Sequence, residues 1–258
     1  SAIGIKEDGS VVFYTIDGHQ SGYSVGATLT QVAQRLIELG CVEAVGLDGG
    51  GSTTMVATMP DQDAAQLVNQ PSGGTQRAVT NGIFLVSELE PTEELDHYYV
   101  TPYDSIVLSG TQVALTATPV DTAGYAFSDD REITWSISNG DGLVDADGVF
   151  TAGSESGATQ ITASSNRAEG SATVTVVKTP DSISLTNEET GAPVTSLSLD
   201  PLQTVDLKAT SVYRSITLAS QDSCYTWTAE PAIGTIDENG VFTAAGSSVT
   251  GNLTVSAG

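Results

Sequence analysis

The residues best suited to chemistry are Asp48-Gly49-Gly50-Gly51-Ser52-Thr53-Thr54, set between two apolar runs. One carboxylate stands beside a backbone with almost no side chains. Glycine lets a chain turn through positive φ and lets a ligand approach the main chain closely. The amides of Gly49, Gly50 and Gly51, with the hydroxyls of Ser52 and Thr53, would form a nest for an anion. Asp48 would then act as a nucleophile, a general base or a ligand for hydroxyl groups. A second element, Arg77-x-Val79-x-Asn81-Gly82, adds a cation and an amide. Arg77 is one of three basic residues in the first hundred positions, with Lys6 and Arg35, and is read as a partner for a bound anion. The plainer readings are a tight turn for the glycines and a surface ion pair for Arg77.

The surrounding sequence supplies elements that would hold this stretch. Val11–Ile16 is rich in β-formers and ends at the Asp17-Gly18 turn signal. Thr28 with Gln31 makes a capping box, and Leu29, Val32, Ala33, Leu36 and Ile37 share one face at helical spacing. Gly40 ends the helix. Ala44–Leu47 is a short apolar strand. Strand, helix and strand in this order predict a βαβ unit within a mixed sheet, with Asp48 at the carboxyl end of its strand, where ligands gather. Thr53–Ala57 and Ile83–Val86 are predicted as further strands. Residues 58–76 form a loop of the length that is usually functional or mobile.

Beyond residue 90 helical periodicity disappears. Short runs of Val, Thr, Ile and Ser alternate with turn residues, as in all-β sandwiches. Asp145-Ala146-Asp147-Gly148-Val149-Phe150-Thr151-Ala152 recurs as Asp237-Glu238-Asn239-Gly240-Val241-Phe242-Thr243-Ala244. Trp135 and Trp227 keep the same offset, 227 − 135 = 92. Two copies of one β module are therefore expected. The tryptophans are read as core anchors, with carbohydrate stacking as the sharper alternative. The repeated Asp-x-x-Gly turn is read as a hairpin turn, with calcium as the alternative. The expected organisation is 1–90 mixed α and β, 91–98 linker, and β modules at 99–178 and 179–258. The closing strand of the second copy would fall after Gly258.

Composition narrows the partners. A net charge of −24, from 32 acidic and 8 basic residues, disfavours nucleic acid and anionic lipid. No apolar run approaches the roughly 20 residues needed to span a bilayer. No signal peptide is visible in a chain that opens at Ser1-Ala2-Ile3. Cys41 and Cys224 lie in different segments and are not expected to pair, and His19 and His97 are isolated, so no metal site and no cofactor are expected.

Two family resemblances attach to these residues. Residues 1–88 resemble the carboxyl-terminal part of the phosphodiester glycosidase domain. They do so through Ala2-Ile3-Gly4-Ile5, the Asp17-Gly18 turn, Leu47-Asp48-Gly49-Gly50-Gly51-Ser52 and Arg77-x-Val79-x-Asn81-Gly82. Residues 103–177 and 181–258 resemble bacterial immunoglobulin-like domains of group 2, through the Ile-Thr-Trp strand, the Gly-Val-Phe-Thr-Ala element and the closing Ala-Thr-Val-Thr-Val. The first resemblance implies hydrolysis of a sugar-1-phosphodiester such as an N-acetylglucosamine ester. Asp48, Arg77 and Asn81 would be catalytic, and Gly49, Gly50, Gly51, Ser52 and Thr53 would hold the phosphate. It also implies that the amino-terminal part of the domain, with a second catalytic group, lies upstream of Ser1, so this segment alone is expected to be inactive. The second resemblance implies spacer modules on a secreted or bacterial cell-surface protein, with a phosphorylated carbohydrate or cell-wall glycan as partner. A non-enzymatic surface protein that binds anionic glycans is the rival expectation. Oligomeric state is not legible.

Overall fold

The computed structural model describes residues 1–21 and 23–257. The chain is mostly β with one α-helix, and it divides into two compact units, Ser1–Glu90 and Pro91–Gly258. No helix among the described residues is long and apolar enough to cross a membrane.

In the first unit, strands β1 (Ala2–Lys6), β2 (Val11–Tyr14) and β3 (Cys41–Gly46) form a three-stranded sheet in the order β2-β1-β3. Both β2 and β3 run antiparallel to β1. The two strands flanking the helix therefore run the same way but do not touch, because β1 sits between them. This differs from an adjacent βαβ pair.

Helix α1 (Leu29–Glu38) has the capping box read from sequence: Thr28 Oγ1 accepts from the Gln31 amide, and the Thr28 amide donates to Gln31 Oε1. Gly40 follows with φ +84°, its amide bonded to Ile37. Leu36 is only 2% exposed and packs with Ala2 and Cys41, flanked by Val12, Tyr14, Val32 and Leu39. Leu29 and Ile37, at the edges of the apolar stripe, stay exposed.

Two strand expectations need correction. The Thr53–Ala57 strand shrinks to β4 (Val56–Ala57), which pairs antiparallel with β5 (Gln66–Leu67) inside the expected loop. Ile83–Val86 forms no strand. No neighbouring strand pairs with it among the described residues, and its side chains are 60–85% exposed. A run of β-formers is a strand only when a partner satisfies its backbone groups.

The second unit is all β. Its first half contains β6 (Leu95–Thr101), β7 (Asp104–Leu108), β8 (Gln112–Ala114), β9 (Thr116–Asp121), β10 (Thr134–Asn139), β11 (Gly142–Val144), β12 (Val149–Ala152), β13 (Gly157–Ser164) and β14 (Glu169–Val177). The sheets are β10-β13-β14-β7, β11-β12-β8 and the pair β6-β9. Phe150, Ile161, Val107, Val174 and Val176 are fully buried between them. Their alternation along the strands, inward apolar and outward polar, is what a sandwich requires.

The second half repeats the plan with β15 (Ser182–Asn187), β16 (Thr204–Tyr213), β17 (Ile216–Thr217), β18 (Thr226–Ala229), β19 (Gly234–Ile236), β20 (Val241–Ala244) and β21 (Leu253–Ser256). Leu207, Phe242, Tyr225 and Trp227 anchor its core.

The repeat has a physical cause. Asp145 Oδ1 accepts from the amides of Asp147 and Val149, and Asp237 Oδ1 accepts from those of Asn239 and Val241. The first carboxylate of each copy is thus spent on its own turn. Gly148 and Gly240 have φ of +81° and +83°. A Cβ at Gly148 would lie 2.8 Å from Trp135, and one at Gly240 would lie 3.1 Å from Trp227. Each tryptophan packs over the turn glycine of its own module, which is the anchor role.

The stretch read as a linker is not free. The amides of Thr92 and Glu93 donate to Asp121 Oδ2, and β6 begins at Leu95. The two modules also share backbone pairing. Val107 bridges Ala219, the Leu108 amide donates to Ala219, and Gln221 bonds both the amide and the carbonyl of Gln112.

Candidate functional site

Asp48 follows β3 by two residues and is exposed. Its carbonyl accepts from Ser1 Oγ at 2.7 Å, and the Leu47 amide donates to the Ser1 carbonyl, so the strand end is tied to the start of β1. The Asp48 carboxylate accepts from the Gly49 amide at 2.9 Å. The chain then enters a 3-10 turn, Gly50–Ser52, with Gly50 at φ +59° and the Thr53 amide bonded to the Gly50 carbonyl. Of the five residues expected to form an anion nest, Gly49 and Thr53 therefore use their amides internally. The Thr53 side chain is buried, and its hydroxyl reaches the Asp48 carbonyl at 3.5 Å.

Arg77 meets this turn. Its Nη1 donates to Ser52 Oγ at 3.2 Å. A Cβ on Gly51 would stand 2.6 Å from Arg77 Nη2 and 3.1 Å from Cζ, so only glycine lets the guanidinium lie where it does. No carboxylate pairs with Arg77 among the described residues. The surface ion pair that was the plainer reading of Arg77 is not what the chain makes. Asn81 is exposed, and none of its polar atoms bonds the glycine turn or any other described group.

Sequence reasoning missed the group that braces the turn. Asn69, in the long loop, accepts from the Met55 amide at 2.7 Å through Oδ1. Through Nδ2 it donates to the Thr53 carbonyl at 3.2 Å and to Asp17 Oδ1 at 3.1 Å. Asp17 also accepts from the Gln70 amide at 2.9 and 3.0 Å and from the Tyr23 hydroxyl at 3.0 Å. That last bond, with burial and the carboxylate's charge behind it, holds the Tyr23 phenol above its usual pKa. One hydrogen-bonded chain thus runs from the Asp17 turn through Asn69 to Thr53, two residues past the glycines. The only sequence signals were the Asp17-Gly18 turn and the unusual loop length.

Beside the turn lies a cavity of about 210 Å³. Gly49, Gly50 and Thr53 border it, with the Asp17–His19 turn, the start of α1 and the Asn69–Ser72 segment. Among the described residues no group of three or more His, Cys, Asp or Glu is arranged to hold a metal.

Residues 1–86 match the phosphodiester glycosidase family. The match covers one third of the chain and contains the whole of the Asp48 turn and Arg77. No curated protein matches the chain. Solved structures similar to part of it include domains 5-6 of the S-layer protein SbsC, at 24% identity over 62% of this chain and 90% of that one, with a TM-score of 0.27. The Yersinia pseudotuberculosis adhesin InvE is 13% identical over 58% of this chain and 50% of that one, TM-score 0.23. Human protocadherin-24 EC1-2 is 12% identical over 58% of this chain and 77% of that one, TM-score 0.23.

Proposed function

We propose that the first unit is part of a hydrolase acting on a sugar-1-phosphodiester, cleaving the bond between C1 and the phosphate oxygen. The observation that carries this reading is an unpaired arginine laid on a glycine turn directly after a carboxylate. It is supported by the family match over the same residues.

The phosphate monoester leaves with the electron pair of the C1–O bond and needs little protonation. The demands on the protein are then charge stabilisation on the phosphate side and a carboxylate on the sugar side. Arg77 pairs with the phosphate as the C1–O bond breaks, bidentate where the geometry allows. The amides of Gly50, Gly51 and Ser52, with Ser52 Oγ, hold a second phosphate oxygen. Asp48 either attacks C1 and is later released by water, or removes a proton from the attacking water. Asn81, with its amide unengaged, contacts the substrate rather than the turn.

Glycosidases of this kind use two carboxyl groups. Asp17 does not supply the second, because hydrogen bonds already occupy both of its oxygens. The tandem β modules are read as immunoglobulin-like spacers of bacterial group 2, on a secreted or surface protein.

The test is to incubate the intact protein with an ester of N-acetylglucosamine 1-phosphate and measure free sugar. Turnover that vanishes in Asp48→Asn supports the hydrolase. Binding of anionic glycans without turnover of any sugar phosphodiester replaces it with a surface-binding protein.

A further inference from the structure

The second β module leaves unpaired the strand edges that the first module closes. In the first module β14 lies between β13 and β7, antiparallel to β13 and parallel to β7. Its Ala172, Val174 and Val176 are 0–2% exposed and complete the core beside Ile161, Ala163 and Val107.

The offset of 92 carries this frame into the second module. Trp135 pairs with Ala163 and Trp227 with Val255, so β21 stands where β13 stands. The Thr111 amide donates to the Leu108 carbonyl, and the Ala152 amide to that of Thr111. The Gln203 amide likewise donates to the Asp200 carbonyl, and the Ala244 amide to that of Gln203. Ser196–Asp200 therefore stands where β7 stands. Among the described residues, no strand other than β18 pairs with β21, and none pairs with Ser196–Asp200.

Burial and strand length differ accordingly. Ile161, Ala163 and Val107 are fully buried, whereas Leu253, Val255 and Leu199, at the same positions, are half-buried while still packing on the second core. β13 runs eight residues and β21 four. Ser196-Leu197-Ser198-Leu199 has the alternation of a strand but forms none. A backbone edge with unpaired amides and carbonyls is a template for another chain.

We propose that the second module is a strand acceptor. It takes an extended segment of a partner protein between β21 and Ser196–Asp200, antiparallel to the first and parallel to the second. Main-chain bonds to both edges supply affinity, and side chains at every second position supply specificity. The first module sets the chemistry of that segment. Inward positions take small or β-branched apolar residues, as at Ala172, Val174 and Val176; the positions between take hydroxyls, as at Ser171, Thr173 and Thr175. A second copy does not offer such a strand. Its β14 is already paired on both edges, and its Ile83–Val86 run lacks the alternation. The acceptor shares no residue with the glycine turn, so it and the hydrolase reading can fail separately.

The test is amide hydrogen exchange of the chain with a synthetic peptide of β14, Glu169–Val177. At about ten times its Kd the peptide should slow amides within Leu253–Ser256 and Ser196–Leu199 by about tenfold. Amides of β13, which β14 already covers, should not change. The Val174→Asp peptide turns a charge toward the core and should lose the effect. The Thr175→Asp peptide turns it outward and should keep the effect, because successive side chains of a strand face opposite ways. No slowing at about 1 mM peptide, or equal effects from the two substituted peptides, overturns the acceptor. A chain that is dimeric alone, with those amides protected before peptide is added, assigns the edges to a second copy and overturns the partner strand.

Discussion

Removing the Asn69 side chain is the sharpest test of how the glycine turn is held. The hairpin β4-β5 pairs Val56 with Leu67 and Ala57 with Gln66, and the Val68 amide adds one bond to the Met55 carbonyl. A ladder that short has little stability of its own. Asn69 closes its open end through three bonds, to Met55, Thr53 and Asp17. Each hydrogen bond is worth about 0.5–1.5 kcal/mol net, and the site is half-buried, so the lower part of the range applies. Asn69→Ala should therefore cost roughly 2 kcal/mol of local stability, or about a thirty-fold faster exchange. The assay is amide hydrogen exchange at Met55, whose partner is the Asn69 oxygen alone. Asn69→Asp separates the contributions. It keeps the acceptor for Met55 but turns a carboxylate oxygen toward Asp17 Oδ1 and the Thr53 carbonyl. Two facing carboxylates raise the pKa of the pair, so this variant is destabilised at neutral pH and recovers as pH falls through that raised value. Asn69→Ala should show no such recovery. Met55 exchange that stays within about twofold of the parent in Asn69→Ala would refute the clasp.

Three further outcomes follow from the geometry. Gly51→Ala puts a methyl group where the Arg77 guanidinium lies, and the far end of a long side chain moves out of the way cheaply. Stability should change by less than about 0.5 kcal/mol, while turnover by the intact protein falls on the order of a hundredfold, the usual loss for one oxyanion donor; an active Gly51→Ala protein would remove Arg77 from the mechanism. Burial alone would raise the pKa of Asp121, but amides of Tyr125, Thr92, Glu93 and Ala123 overcome it and hold the carboxyl at about 2, against a usual 3.8. A depressed folded pKa gives stability that is present above the unfolded value and lost as pH falls through the folded one. Exchange at Thr92 and Ala123 should therefore accelerate between about pH 4 and 2, and Asp121→Ala should show fast exchange across that window without the pH dependence. Gln221→Ala removes two exposed bonds between the modules, worth about 1 kcal/mol together, and should lower the unfolding midpoint of the second unit by a few degrees; unchanged Gln112 exchange would show that the bonds from Leu108 and Thr111 to Ala219 set the joint without Gln221.

The capping box at Thr28 and Gln31, the Gly40 stop and the repeat at an offset of 92 were legible because each is a local rule acting within a few residues. The Ile83–Val86 strand was misjudged for the complementary reason. Its residue types favour a strand, but β pairing is a property of two segments, and no second segment lies beside it among the described residues. The same holds for the strand–helix–strand unit. The pattern located α1 and its flanking strands but not the insertion of β1 between them, because that depends on the register of Ile3 with both Phe13 and Val45.

The candidate site divides along the same line. Asp48, the glycines and Ser52 are contiguous, and composition alone singles them out. Arg77 was found by its rarity in an acidic chain, and it does reach Ser52 across 25 positions. Asn69 was invisible, since asparagine in a polar loop is ordinary until its amide is seen bridging residues 14, 16 and 52 positions away. The part of the site proposed to meet a ligand is written in unusual residues, because contact chemistry needs particular side chains. The part that holds it still is written in common ones, because rigidity needs only that donors and acceptors from distant segments coincide. Exchange at Met55 therefore reports on a clasp that composition does not reveal, and that holds the Thr53 end of the glycine turn.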